Sequence, residues 1–154
     1  MHIHIIAVGT RMPAWINDGF REYADRLRGT TLRLREVEAA RRTEGADVAR
    51  LLAGEGKRLL ATVPKNACVI ALDRIGKAIT TQQIAAAMRD WRQEGRDVAF
   101  LIGGPEGLAD ECLAAAGERW SLSALTLPHP LVRVVLAEQL YRAWSILEGL
   151  PYHR

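Results

Sequence analysis

The sequence predicts an α/β fold built on a mainly parallel sheet, and three observations predict it. Short apolar runs alternate with longer segments of helical periodicity from end to end. Two of those runs, "ACVIALD" and "DVAFLIGG", are apolar on both faces, as in strands covered by helices on either side. At 154 residues the chain has the length of one domain with a single core, so one folding unit over 1–154 is expected.

Each element follows from its own residues. "HIHIIAVG" carries Ile3, Ile5, Ile6 and Val8 and reads as a strand that Gly9 closes. In "PAWINDGFREYADRLRG" the spacing of Ile16, Phe20, Tyr23 and Leu27 makes one helical face, with Pro13 suited to the first turn and Gly29 to the stop. "TLRLREVE" alternates as a strand does, and "DVARLLAGEGKRLLATV" is a helix weakened by Gly54 and Gly56. After the strand "ACVIALD", "TTQQIAAAMRDWRQEG" turns Ile84, Met88 and Trp91 inward, and "DVAFLIGG" is the next buried strand. A helix near residues 108 to 117, a strand in "RWSLSALTL" and a long helix from about Pro130 to Glu148 complete the order. Two prolines flank His129, and proline restricts its predecessor to extended geometry, so Leu127 and His129 are both predicted outside helical conformation.

Composition narrows the function classes. Lys and Arg number 21 against 18 Asp and Glu, a mildly basic balance that permits a polyanionic partner without demonstrating one. Cys68 and Cys112 stand far apart in apolar segments with no CxxC spacing, as expected of reduced, buried thiols in a cytoplasmic protein. No apolar run approaches the ~20 residues of a membrane span, and "MHIHIIAVG" lacks the basic start of a signal peptide, so a soluble protein without membrane contact is expected.

Familiar chemistry motifs are mostly missing. "GGPEG" is not GxGxxG and lies late in the chain, which disfavours a Rossmann site; GxxxxGK[ST] and GxSxG are both lacking. His2 and His4 share one face of a strand but have no cysteine near them in sequence, so a solvated strand start is preferred to a metal site. Trp15, Trp91, Trp120 and Trp144 are expected as core anchors, and Arg41 and Arg42 as members of a solvated loop.

In parallel sheets ligands bind outside the carboxyl ends of strands. Three such ends stand out: "ALDRIGK" after Leu72, "IGGPEG" from Ile102 to Gly107, and "SALTLPHP". All three share one edge if their strands are parallel, and Gly103 and Gly104 allow a ligand to approach bare backbone, although Gly-Gly-Pro is also ordinary turn chemistry.

The segments "IGGPEG", "SLSALTLPHPLVRVVLAEQLYRAWSI" and "YHR", with the opening "AVGTRMPAWINDGFREY", resemble the RlmH family, the pseudouridine N3-methyltransferases of the large ribosomal subunit within the SPOUT superfamily. The resemblance spans essentially the whole chain and is densest from about residue 95 onward. It implies a SPOUT methyltransferase fold with a C-terminal trefoil knot in about residues 70–154, a homodimer, and S-adenosylmethionine bent within the knot loops. By position, it places cofactor contacts at Leu72, at Gly103 and along Leu122, Ser123, Ala124, Leu125, Thr126 and Leu127. These are the strand ends chosen from the residues alone.

The implied reaction moves the methyl group of S-adenosylmethionine to N3 of a pseudouridine in 23S rRNA, with the large subunit or the whole ribosome as substrate. The imide proton must leave while nitrogen, methyl and sulfur align. His129 or His153 is the candidate base, and Arg142 or Arg154 the candidate for stabilising charge on the carbonyl oxygens. Pro128 and Pro130 are expected to present His129 and Arg133 near the donor methyl, and Tyr152, His153 and Arg154 to complete the site, from the partner subunit if not from the same chain. No metal is expected, because the sulfonium donor is already activated. Two other classes compete: a flavodoxin-like or nucleotide-binding oxidoreductase on the same strand ends, and a ribosome-associated protein without catalysis.

Overall fold

The computed structural model describes residues 1–154. Five parallel strands, β1 (His2–Val8), β2 (Thr31–Val37), β3 (Cys68–Ala78), β4 (Val98–Ile102) and β5 (Glu118–Ser121), form one sheet in the order β2-β1-β4-β3-β5. Between them run α1 (Ala14–Ala24), α2 (Val48–Thr62), α3 (Thr81–Glu94) and α4 (Asp110–Ala115), and α5 (His129–Leu147) follows, ending in a 3-10 turn at Pro151–His153. The expected α/β class with a parallel sheet is what forms.

Helices cover both faces, and period-two alternation divides the strand residues between them. Ile3, Ile5 and Ala7 of β1 join Phe100, Met88 and Leu136 in a core under α1, α3 and α5, while Ile6 and Val8 face Leu59, Leu101 and Cys112 under α2 and α4. β1 and β4 therefore read as continuous apolar runs. On the larger face the Trp91 and Trp120 rings stack at 6.0 Å and Phe100 meets Trp120 edge-on at 5.5 Å. Trp15 departs from expectation: it is 62% exposed, because Ile16 and Phe20 carry the buried stripe of α1.

Local signals set the helix ends. The Thr80 and Gln83 side chains form a reciprocal capping box on α3, and Gly95 stops it in the left-handed region at φ 65°. Gly56, which the sequence marks as a weakness in α2, has a packing role. A Cβ there would lie 2.9 Å from that of Ala109 and 3.2 Å from the Cys112 sulfur, so glycine lets α2 and α4 meet. Burial at this contact pushes the free Cys112 thiol up to about 11.

Several boundaries differ from the sequence reading. β5 ends at Ser121, and Leu122–Leu127 is a loop, because its alternating apolar residues turn toward a cavity and find no neighbouring strand. β3 continues to Ala78 by arching over Asp73–Gly76, so that Leu72 and Lys77 both register with Trp120. α5 starts at His129, not at Pro130: the extended break falls on Pro128, at ψ 137°, and Pro130 sits in the first turn, where its missing N–H has no helical acceptor. The strand start is also less solvated than expected. His4 is buried, its pKa lowered chiefly by that burial, while Asp97 accepts the His2 N–H at 3.0 Å.

Candidate active site

The carboxyl ends of β3, β4 and β5 open into one cavity of about 380 Å³, closed on a fourth side by His129 and Val132 of α5. That volume lies in the range of small-molecule sites. Of the residues proposed from sequence, Leu72, Gly103, Leu122, Ser123, Leu125, Thr126, Leu127 and His129 all line it. Ala124 belongs to the same loop without facing the cavity.

Three backbone devices build the walls. After β4 the chain turns back at once: the Gly107 N–H donates to the Gly104 carbonyl at 3.0 Å, and a Cβ on Gly103 would sit 2.3 Å from the Gly107 oxygen. Only glycine fits there. After β5, none of the backbone groups of Leu122–Leu127 pairs with other backbone. The loop is held instead by side chains: Ser121 Oγ donates to the Ser123 carbonyl at 3.1 Å, Ser123 Oγ accepts the Leu125 N–H at 2.9 Å, and Arg74 donates to Thr126 Oγ1 at 3.3 Å. After Leu72, the Asp73–Gly76 arch leans on β5 so closely that a Cβ on Gly76 would be 2.8 Å from the Arg119 carbonyl.

Two buried polar atoms in these walls, Asp73 Oδ2 and His129 Nδ1, have no partner within the chain. An orphaned acceptor and an orphaned imidazole nitrogen in one cavity are unusual unless a ligand uses them. Burial, and after it the Arg133 charge, lowers the His129 pKa, so the ring is neutral near pH 7 and able to accept a proton. Asp73, Arg74 and Glu106 are wall residues that sequence reasoning missed, although Asp73 and Arg74 follow Leu72 directly.

Arg133 lies elsewhere than expected. Fully buried behind His129, it pairs with Glu36 at 2.5 Å and donates to the carbonyls of Gly9 at 2.8 Å and Val8 at 3.4 Å. It ties α5 to the ends of β1 and β2 and does not line the cavity.

Arg142, Tyr152, His153 and Arg154 gather at the other end of α5. Arg142 lies thirteen positions beyond His129, about 20 Å along the helix axis. Arg142 pairs with Glu138 at 2.5 Å and lies 4.7 Å over the Tyr152 ring, whose hydroxyl donates to the same carboxylate at 3.1 Å. Burial, then the Glu138 charge, pushes the Tyr152 hydroxyl up to about 12, so it stays a protonated donor. His153 and Arg154 are exposed beside it. One chain thus holds two separate clusters.

Across residues 1–153 the chain matches the sequence profile of the family described as "predicted SPOUT methyltransferase". The chain belongs to the SPOUT methyltransferase family. Two relatives, each named ribosomal RNA large subunit methyltransferase H, are similar over their full lengths. The protein from Thioalkalivibrio sulfidiphilus is 54% identical, covering 100% of this chain and 99% of its own, and that from Methylococcus capsulatus is 52% identical, covering 100% of both. These relatives place the chain in the RlmH branch of the SPOUT methyltransferases, as the sequence motifs imply.

Solved structures agree on the fold. A probable methylase family protein from Haemophilus influenzae superposes with a TM-score of 0.59 at 16% identity, covering 96% of this chain and 68% of that one. A probable methyltransferase from Bordetella pertussis has the same TM-score and identity, covering 92% and 95%. The family is one of methyltransferases, so the oxidoreductase reading has no remaining support. No group of three or more His, Cys, Asp or Glu side chains is arranged to hold a metal, and no helix is long and apolar enough to cross a membrane.

Proposed function

We propose that this SPOUT methyltransferase carries the methyl group of S-adenosylmethionine to N3 of a pseudouridine in 23S rRNA, acting as a cytoplasmic homodimer on the large subunit or the whole ribosome. The observation that carries the cofactor half is the cavity itself. Its loop backbone, free of backbone–backbone pairing, and the orphaned Asp73 Oδ2 match a ligand with an adenine edge, hydroxyls and an ammonium group. Support for the rRNA half comes from the full-length relatives, both named as large-subunit rRNA methyltransferases.

The donor, when bound, supplies a methyl group on a positively charged sulfur. The chain's residues do the rest. The N–H and C=O groups of Leu122–Leu127 other than the Leu125 N–H and the Ser123 carbonyl suit an adenine edge, and the leucine side chains exclude water from its faces. Gly103 opens space for the ribose and methionine portion, and Asp73 Oδ2 accepts from a hydroxyl or ammonium. His129, neutral and with Nδ1 free, stands at the α5 wall as the base for the imide proton. Arg133 fixes it by anchoring the first turns of α5 to Gly9 and Glu36.

The second cluster supplies the acceptor side. Arg142 and Arg154 would stabilise negative charge on the pseudouridine carbonyls, with His153 donating a hydrogen bond and Tyr152, held by Glu138, supporting Arg142 beneath them. Since these groups stand about 20 Å from His129 along α5, their own cavity is out of reach, and the tail serves the cavity of a partner subunit. A trefoil knot in about residues 70–154 goes with this reading of the family.

The test is transfer of labelled methyl to ribosomes from cells lacking this protein, beside ribosomes lacking the target pseudouridine and protein-free rRNA. Label confined to pseudouridine-containing ribosomes is the expected result. Equal labelling of ribosomes without the pseudouridine contradicts the assignment.

A further inference from the structure

Arg42 sits between β2 and α2 and does not itself line the cavity. Its guanidinium joins two carboxylates that are distant in sequence. It donates to Glu55 Oε2 at 3.0 Å and Oε1 at 3.3 Å, and to Glu106 through Nε at 2.9 Å and Nη2 at 2.5 Å, both to Oε2. The two anchors differ in kind. Glu55, on α2, is only 2% exposed and also accepts the Ala40 N–H at 2.8 Å, so it is a fixed post. Glu106 belongs to the glycine turn that forms one cavity wall.

The turn also rests on the guanidinium sterically. A Cβ on Gly104 would come within 3.4 Å of Arg42 Nη2 and 3.3 Å of Val8 Cγ1. Apart from the Gly104–Gly107 bridge, nothing else polar ties Glu106 to the body of the protein. Arg42 holds the Glu106 carboxyl below the usual carboxylate range, and its charge also contributes to lowering the His129 pKa.

We infer that Arg42 is a positioning residue: by bridging Glu106 to the buried Glu55 it fixes the Gly103–Gly107 turn in its ligand-ready shape and so sets the affinity of the cavity for its adenosyl ligand. The inference rests on the cofactor reading given above. A turn held by charge on one side needs no reorganisation when a ligand enters, and pre-organisation of this kind acts on binding more than on the chemical step. Arg42 touches neither donor nor acceptor in this account.

The experiment measures S-adenosylhomocysteine binding by calorimetry on the unaltered full-length protein, on Glu106→Gln, on Arg42→Gln combined with Glu55→Gln, and on the triple variant. Changing Arg42 and Glu55 together leaves no uncompensated buried charge, which protects folding. Each altered protein is expected to bind about fivefold more weakly, and the triple variant no worse than either within about twofold, since all break one link. With saturating donor the turnover is expected to stay within about twofold while KM for the donor rises, and Arg42→Lys restores part of the affinity as a point charge without the fork.

Unchanged affinity in folded variants, or losses that simply add in the triple variant, overturns the inference while the cofactor reading stands. Failure of the unaltered protein to bind the ligand overturns both. That outcome is read before any variant is made.

Discussion

The two ends of α5 are finished differently. At the His129 end, polar atoms are left over: Nδ1 of the imidazole and Oδ2 of nearby Asp73 are buried without partners, and the loop leading into the helix has no backbone pairing. At the Arg142 end the buried polar groups are paired, with Glu138 serving both the Arg142 guanidinium and the Tyr152 hydroxyl. Unmet hydrogen-bonding capacity in a cavity marks a place that a ligand completes. A cluster whose Arg142 and Tyr152 are paired, with His153 and Arg154 exposed, is the part that the proposed function turns toward a partner subunit's cavity. Under the proposed function, the contrast separates a donor half-site from an acceptor half-site that do not meet within one chain.

The largest break in this comparison comes from removing Tyr152, His153 and Arg154. Methyl transfer is expected to fall about a hundredfold or more, the scale of lost proton-transfer and charge stabilisation, while S-adenosylhomocysteine affinity measured by calorimetry stays the same. Damage to the donor half gives the reverse pattern. Gly103→Ala places a methyl where the Gly107 oxygen lies 2.3 Å away, so the turn must open, and ligand affinity is expected to drop about tenfold or more.

Arg133→Met sharpens the comparison by testing the support behind His129. It strips the buried donor from the Gly9 and Val8 carbonyls and from Glu36, and urea unfolding is expected to show a loss of about 3 kcal/mol. The smallest effect is on pH. His4 and His129 both have pKa values lowered from 6.5 by burial, so below that value the unfolded chain binds more protons than the folded one. Stability is therefore fully present above pH 6.5 and is lost as pH falls toward the lowered folded values. The slope is at most about 1.4 kcal/mol per pH unit for each histidine, and His4→Gln flattens it in pH-dependent unfolding.

What could be read from the sequence follows a physical line. Strand and helix periodicity is local, so the alternation predicts a parallel sheet; the rule of carboxyl ends then points to the segment after Leu72, to Ile102–Gly107 and to "SALTLPHP", and the family resemblance narrows these to Leu72, Gly103 and Leu122–Leu127. Where a strand stops depends on its neighbours. β5 ended at Ser121 because no partner strand lies beyond it, which an alternating run such as "SLSALTL" does not reveal.

Long-range charge pairs were also hidden: Arg133 with Glu36 spans 97 positions and Arg42 with Glu106 spans 64, and no spacing rule joins them. Arg42 therefore looked like part of a solvated loop. Trp15 looked like core for the opposite reason, since its size favours burial but its position on α1 lies off the stripe set by Ile16 and Phe20.

That a working site takes one end of α5 from each of two chains is tested most directly by mixing two defective proteins, Gly103→Ala with an intact tail and the tail deletion with an intact cavity, after unfolding and refolding them together. Half of randomly paired dimers are mixed, and each mixed dimer then holds one intact cavity facing one intact tail, so labelling of ribosomes is expected to return to about a quarter of the unaltered level. Activity no higher in the mixture than in the two proteins assayed apart contradicts the account and returns the tail to its own chain.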